Sequence, residues 1–96
     1  MYDLIIVGVG PAGCTASIYA SRYKLSHLVI GQKVGGTIIL ASNVENFPGF
    51  KSISGLELGE KMLEQVKSLE AEVVLKIVGR IEKIDGGFKV VTEDNT

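Results

Sequence analysis

The segment Tyr2-Asp3-Leu4-Ile5-Ile6-Val7-Gly8-Val9-Gly10-Pro11-Ala12-Gly13 decides the fold. Residues 2–7 form a continuous β-prone run that stops at Gly8, the pattern of a strand buried on both faces of a parallel sheet. Pro11 stands where a helix begins, at a position whose missing N–H does no harm. Residues 12–23 continue with helical periodicity, which predicts Ala16, Ala20 and Tyr23 on the packed face with Ile18 nearby. Between strand and helix lies the spacing G-x-G-x-x-G, made by Gly8, Gly10 and Gly13. An ordinary strand–helix turn can carry those glycines. Directly after a strand, and opening a helix inside a βαβ unit, they match a dinucleotide-binding loop. In that reading Gly8 allows the tight turn, Gly10 leaves room for backbone N–H groups to reach a pyrophosphate, and Gly13 lets the helix lie close to the strand. The helix N-terminus brings unpaired N–H donors and about half a positive charge, so it favours an anion without any lysine.

Working outward, residues 27–30 read as a second short apolar strand and residues 32–54 as a loop-rich stretch. Residues 56–70 read as an amphipathic helix with Leu58, Met62, Leu63, Val66 and Leu69 facing inward, and with Glu57 and Lys61 paired four apart on the wet side. Residues 72–78 read as a third strand. Residues 80–84 and 88–92, joined by Asp85-Gly86-Gly87, read as a β-hairpin, and residues 93–96 as a closing turn. This order implies an α/β fold: a Rossmann-like βαβαβ parallel sheet with right-handed crossovers, followed by antiparallel strands.

Ninety-six residues allow one domain at most. Hydrophobic residues at 46% and charged residues at 22% are a globular composition. A net charge of −1 offers no basic footprint for nucleic acid or an anionic membrane surface. Residues 1–48 carry only Asp3, Arg22, Lys24, Lys33 and Glu45, and the rest of the charge falls in the second half, as a buried strand and a ligand-lined loop would require. The one cysteine, Cys14, can form neither an internal disulfide nor a CxxC pair nor a thiolate zinc site, and it reads as a small buried hydrophobe. The apolar start follows Asp3 instead of a basic segment, so no secretory leader is expected, and no run approaches the ~20 apolar residues that span a bilayer. With the single thiol, this points to the cytoplasm. His27 has no partner at metal-ligand spacing and reads as a surface or internally satisfied histidine. Tyr19 and Tyr23 read as packing residues. No nucleophile–base pair stands out, so no catalytic residue and no metal ligand is nominated. At the end of the second strand a dinucleotide fold expects Asp or Glu for the ribose hydroxyls. Gly31-Gln32 stands there instead, which argues against plain NAD and leaves Gln32 or backbone atoms to make those bonds.

Gly35-Gly36-Thr37, followed by Val44-Glu45-Asn46-Phe47-Pro48-Gly49-Phe50, makes the pattern specific. Together with the YDLIIVG strand, the GPAG turn and the ASIYASR helix, these residues resemble the N-terminal FAD segment of the low-molecular-weight thioredoxin reductases. The resemblance covers essentially all 96 residues and is most specific over residues 1–50. It implies that residues 1–96 are the N-terminal part of an FAD-binding Rossmann-type domain, with the βαβαβ sheet and part of a β-meander. It implies that Gly8, Gly10, Pro11 and Ala12 hold the FAD pyrophosphate in the loop that Gly13 completes. Gln32 would lie near the adenosine ribose, Gly35, Gly36 and Thr37 beside the ribityl chain and flavin, Asn46 at the isoalloxazine edge, and the backbone of Ile81 beside the adenine. Thr37 stands where the family usually has glutamine, and residues 38–43 are more apolar than the family's threonine-rich stretch. Asn46 has a second reading, as a turn-capping residue ahead of Pro48-Gly49.

In such enzymes hydride passes from NADPH to flavin, and electrons pass to a disulfide and on to thioredoxin or a similar dithiol protein. The domain that binds NADP and carries the CxxC has no counterpart in these residues. The chain alone is therefore expected to be inactive, with the first strand left at a sheet edge until the remainder of a flavoprotein, or another chain, completes the sheet. A homodimer is expected of the whole enzyme. Two other readings stay open: a flavoprotein of the same build without CxxC, of the ferredoxin–NADP reductase type, and a nucleotide-binding module with no activity of its own.

Overall fold

In the computed structural model, which describes residues 1–95, apolar strands and small-faced helices alternate to build a parallel sheet. The elements are β1 (Leu4–Val7), α1 (Pro11–Arg22), β2 (His27–Gly31), a 3-10 helix over Gly36–Leu40, α2 (Gly55–Ser68), β3 (Glu72–Leu75), β4 (Val78–Ile84) and β5 (Gly87–Thr92). The strands β1-β2-β3 lie in that order, all parallel, with Leu4 opposite His27 and Gly31 opposite Leu75. Strands β4 and β5 form a separate antiparallel pair closed by Asp85-Gly86, with Gly86 at φ +79°. Glycine enters that left-handed region at little cost, which suits Gly86 to the turn. Thr96, the last residue of the predicted closing turn, lies outside the described residues, and Glu93 and Asp94 do form a turn.

The central strand is β2, which pairs on both sides and buries His27, Val29, Ile30 and Gly31. The doubly buried pattern expected of residues 2–7 belongs to β2. In β1, which pairs with β2 alone among the described residues, only Ile6 is buried, and Leu4 and Val7 are exposed. Tyr2 and Asp3 stand outside the strand. The Asp3 carboxylate accepts from the Ser26 N–H at 3.2 Å, and the Tyr2 hydroxyl donates to Glu72 at 2.7 Å.

Both helices pack on one face of the sheet, where Ile6, Val9, Cys14, Val29, Leu63 and Val66 form the main core. The buried side of α1 is Gly13, Cys14, Ser17 and Ala20, whereas Ala16 and Tyr23 are exposed, contrary to the periodicity reading. Small side chains let α1 settle close to the strands, so its inner face is set by size more than by hydrophobicity. Ser17 is buried without penalty because it bonds His27 Nε2 at 2.8 Å, while Nδ1 lies 3.1 Å from the Leu25 carbonyl. His27 is thus an internally satisfied histidine. A second core joins Val44, Ile53 and Leu58, with Ile38, Ala41, Phe50 and Met62 packed against it. It anchors the long connection after β2, where the expected loop contains the 3-10 helix.

Helix α2 begins at Ser54, whose hydroxyl accepts from the Glu57 N–H at 3.2 Å. Leu58, Leu63 and Val66 face inward and Met62 partly so, but Leu69 is 42% exposed. The helix stops at Ser68, and Leu69 is its C-cap, so the inward stripe ends one turn early. Likewise β3 ends at Leu75. Lys76 and Ile77 redirect the chain, and Val78 already belongs to the hairpin.

Leu58→Ala should cost about 2–5 kcal/mol, and Leu69→Ala should stay within about 0.5 kcal/mol. Urea unfolding followed by circular dichroism separates the two.

Candidate functional site

Strands β1 and β2 end side by side. The Gly8 N–H donates to the Ile30 carbonyl at 2.7 Å, carrying the ladder one residue past Val7. There the chain turns sharply, and Gly8 takes φ +124°, a conformation open to glycine at little cost. Gly10 is the N-cap of α1 and offers no side chain, while Pro11 occupies the first helical position. The Cys14 N–H makes a helical bond to the Gly10 carbonyl at 2.9 Å. The earlier N–H groups, on Ala12 and Gly13, lie in the turn where a helix has no internal acceptors. No acidic residue falls in that turn. The mouth of α1 is therefore lined by backbone and carries the positive end of the helix dipole.

Within this first loop the most restrictive glycine is Gly13, where a Cβ would lie 1.9 Å from the Gly8 carbonyl oxygen. A second loop presses on the first. The Gly35 N–H donates to the Val9 carbonyl at 3.1 Å, and a Cβ on Gly36 would come within 3.0 Å of Gly10 Cα. At the tip of β2 a Cβ on Gly31 would come within 3.0 Å of the Val9 nitrogen. From behind, α2 presses Gly59 against Gly35, where a Cβ would lie 2.7 Å from the Gly35 Cα. In the sequence Gly31 is noted for the carboxylate missing there, not for a close approach, and Gly59 is not singled out. A glycine inside an amphipathic helix costs about 1 kcal/mol against alanine, and that cost is the available sign of a close approach at Gly59.

The structure gathers Gly8, Gly10, Pro11, Ala12, Gly13, Gln32, Gly35, Gly36 and Thr37 at the carboxyl ends of β1 and β2 and along the loop that follows. Gln32, Thr37 and Ala12 are exposed, Pro11 and Gly36 are half-buried, and Gly13 and Gly35 are buried. Two predicted residues are held by other elements. Asn46 is exposed on a loop cinched by reciprocal bonds between Val44 and Ile53 at 2.7 and 3.0 Å, with Phe47 and Phe50 in ring contact and Gly49 at φ +105°. Ile81 is exposed on β4, in a cleft it shares with Leu4, Val7 and Phe88. Cys14 is buried one turn into α1, with its thiol donating to the Val9 carbonyl at 3.6 Å, and burial pushes its pKa up. Among the described residues no cluster of His, Cys, Asp and Glu is arranged to hold a metal, and no helix is long and apolar enough to cross a membrane. The gathered residues present N–H donors, a helix end and bare glycine backbone. That is equipment for holding an anionic group.

A family model described as pyridine nucleotide-disulphide oxidoreductase matches residues 2–96. The thioredoxin reductase of Bacillus subtilis (strain 168) is 46% identical over 93 residues, which is 95% of this chain and 29% of that protein. Among solved structures, the thioredoxin reductase of Lactococcus lactis superposes with a TM-score of 0.92 at 38% identity, over 98% of this chain and 31% of that one. That of Streptococcus pyogenes MGAS5005 superposes with a TM-score of 0.91 at 43% identity, with the same coverage of 98% and 31%. The chain spans about three tenths of the length of these relatives.

Gly13→Ala should destabilise the fold by at least about 3 kcal/mol, because the new methyl meets a carbonyl that both strand and helix hold in place. Gly87→Ala, where a Cβ meets nothing within 4 Å, is the control for denaturant unfolding. Cys14 gives a second test. The folded chain keeps its thiol proton above the ordinary value of 9.0, where the unfolded chain loses it. Stability should therefore fall as the pH rises from about 8 to about 10, and the fall should be smaller in Cys14→Ala.

Proposed function

The chain belongs to the pyridine nucleotide-disulphide oxidoreductase family, and from that premise we propose that its residues form part of the FAD-binding domain of a thioredoxin-reductase-like flavoprotein. The observation that carries this reading is the uncapped mouth of α1, with no acidic residue in its first turn, set against two glycine loops. A pyrophosphate suits this cradle. It needs several N–H donors, a favourable dipole and an approach free of side chains.

In this reading Gly8, Gly10, Pro11, Ala12 and Gly13 hold the pyrophosphate. Gln32 serves the adenosine ribose. Gly35, Gly36 and Thr37 run beside the ribityl chain and flavin, Asn46 offers its amide to the isoalloxazine edge, and the backbone of Ile81 borders the adenine. An amide suits a flavin edge because it both donates and accepts. Bound FAD supplies the redox chemistry, taking hydride from NADPH and passing electrons to a disulfide. These residues bind and orient the cofactor, and none acts as a covalent catalyst. NADPH binds outside the described residues. The acceptor is thioredoxin or a similar dithiol protein, the working enzyme is a dimer, and a reducing cytoplasm fits the single buried thiol.

The test is a visible spectrum and flavin fluorescence of the purified chain with FAD. Binding should shift the flavin bands and quench the emission. Gly10→Ala isolates the site from the fold. Its methyl would meet Gly35 and Gly36 at 3.6 Å, an ordinary contact, yet it narrows the gap through which the cofactor runs. It should leave the circular dichroism unchanged and weaken FAD at least about tenfold, or about 1.4 kcal/mol. FAD binding that Gly10→Ala leaves unchanged, in this chain or in the flavoprotein that contains these residues, would refute the reading.

A further inference from the structure

The tip of β2 is joined to the phosphate-binding loop at two points. Gly31 abuts Val9, and Gly35 and Gly36 rest on Val9 and Gly10. Between those points run Gln32, Lys33 and Val34. Val34 is drawn into the main core, and the Lys33 carbonyl closes the turn by accepting from the Gly36 N–H at 3.0 Å. That leaves Gln32 and Lys33 as the exposed side chains on this stretch of the rim.

The charges at the carboxyl end of the sheet are unusual for a site meant to read ribose hydroxyls. No charged residue follows β1, where the next residues are Gly8, Val9 and Gly10. After β2 comes Lys33, and after β3 comes Lys76, which pairs with Asp94 at 3.1 Å. Asp3 lies at the opposite end of β1, bonded to Ser26. Glu60 and Glu64 of α2 flank Val34 together with Lys67, all three open to water. Their effect is screened over about 8 Å at physiological salt. A carboxylate at the tip of the second strand accepts from two ribose hydroxyls and repels a 2′-phosphate, and a cation there accommodates the phosphate. A neutral amide beside an ammonium does not repel it.

We propose that Gln32 and Lys33 make the ribose end of this site tolerant of a 2′-phosphate, so that the chain takes 2′-phosphorylated and unphosphorylated adenosine diphosphate groups alike. This rests on the nucleotide-binding reading above. Gln32 is the specificity-determining residue. Its amide bonds a hydroxyl or a phosphate oxygen, and Lys33 supplies the countercharge.

The experiment is calorimetric titration of the chain with ADP-ribose and with 2′-phospho-ADP-ribose, which differ only in the phosphate. The two dissociation constants should agree within about threefold for the native sequence. Gln32→Glu should weaken the phosphorylated ligand at least about tenfold relative to the other. Lys33→Ala should weaken the phosphorylated ligand alone. If ADP-ribose binds and its 2′-phosphate form is excluded by the native chain, the inference is overturned and the nucleotide-binding reading stands. If both bind but Gln32→Glu leaves their ratio unchanged, Gln32 is not the reader and the inference is likewise overturned. If neither binds, this inference is overturned, and the Gly10→Ala comparison with FAD still decides the nucleotide-binding reading.

Discussion

The close approach of α1 to the end of β1, made where Gly13 meets the Gly8 carbonyl, is the constraint on which the rest depends. A side chain at residue 13 would overlap that oxygen at 1.9 Å. With glycine there, the helix mouth sits directly at the strand tip, and the loop between them needs only the residues around Gly8 and Gly10. The consequence is electrostatic. A helix end exposes N–H donors in its first turn, and their use depends on where the turn is aimed. Here the turn opens beside the ends of two parallel strands, the place where open α/β sheets bind ligands.

The second loop follows the same logic of backbone contact. Gly36 fits against Gly10, Gly31 against Val9, and Gly59 of α2 against Gly35. Each contact excludes side chains, so the walls beside the helix mouth are peptide groups whose positions are set by ladder bonds and loop bonds. Such walls are stiff. They carry no titratable group and need not reorganise to accept a charged ligand. This suits a role in which the cofactor does the chemistry and the protein supplies place and field. Cys14, one turn inside the helix, fits this division: it is buried, its thiol is bonded to the Val9 carbonyl, and its pKa is raised away from the thiolate.

Burial separates the two sides of the sheet. The helix-covered face carries the main core, and Val44, Ile53 and Leu58 form a second core that holds the connection after β2 in place. On the other face Ile5, Leu28, Ile30 and Val74 look across a cleft to Val90 and Thr92 of the hairpin. Among the described residues β1 pairs with β2 alone and leaves Leu4 and Val7 exposed, and across a cleft from it Ile81 and Phe88 of the hairpin are also exposed.

Local chemistry alone determined a good deal of this protein. The glycine spacing, Pro11 at the helix start, the Asp85-Gly86 hairpin turn and the amphipathic stripe of α2 are short-range signals, and each led to the right element in the right order. The cluster of Gly8, Gly10, Gly13, Gly35 and Gly36 was legible for the same reason, since glycine runs mark backbone that must turn or approach closely. Other features were decided by tertiary structure. Which strand is central cannot be read from apolar runs, because residues 2–7 and 27–30 look equally buried until pairing assigns β2 two neighbours and β1 one. The inner face of α1 was misread because Gly13, Ser17 and Ala20 are chosen for small size, which hydrophobic periodicity does not weigh. Ser17 became a core residue only because His27, ten positions away, arrives to bond it. Gly31 and Gly59 acquired their roles from backbone segments distant in sequence. Residue type and spacing report the conformation of neighbours along the chain. Contacts at van der Waals distance between separate segments exist only once the fold has brought them together.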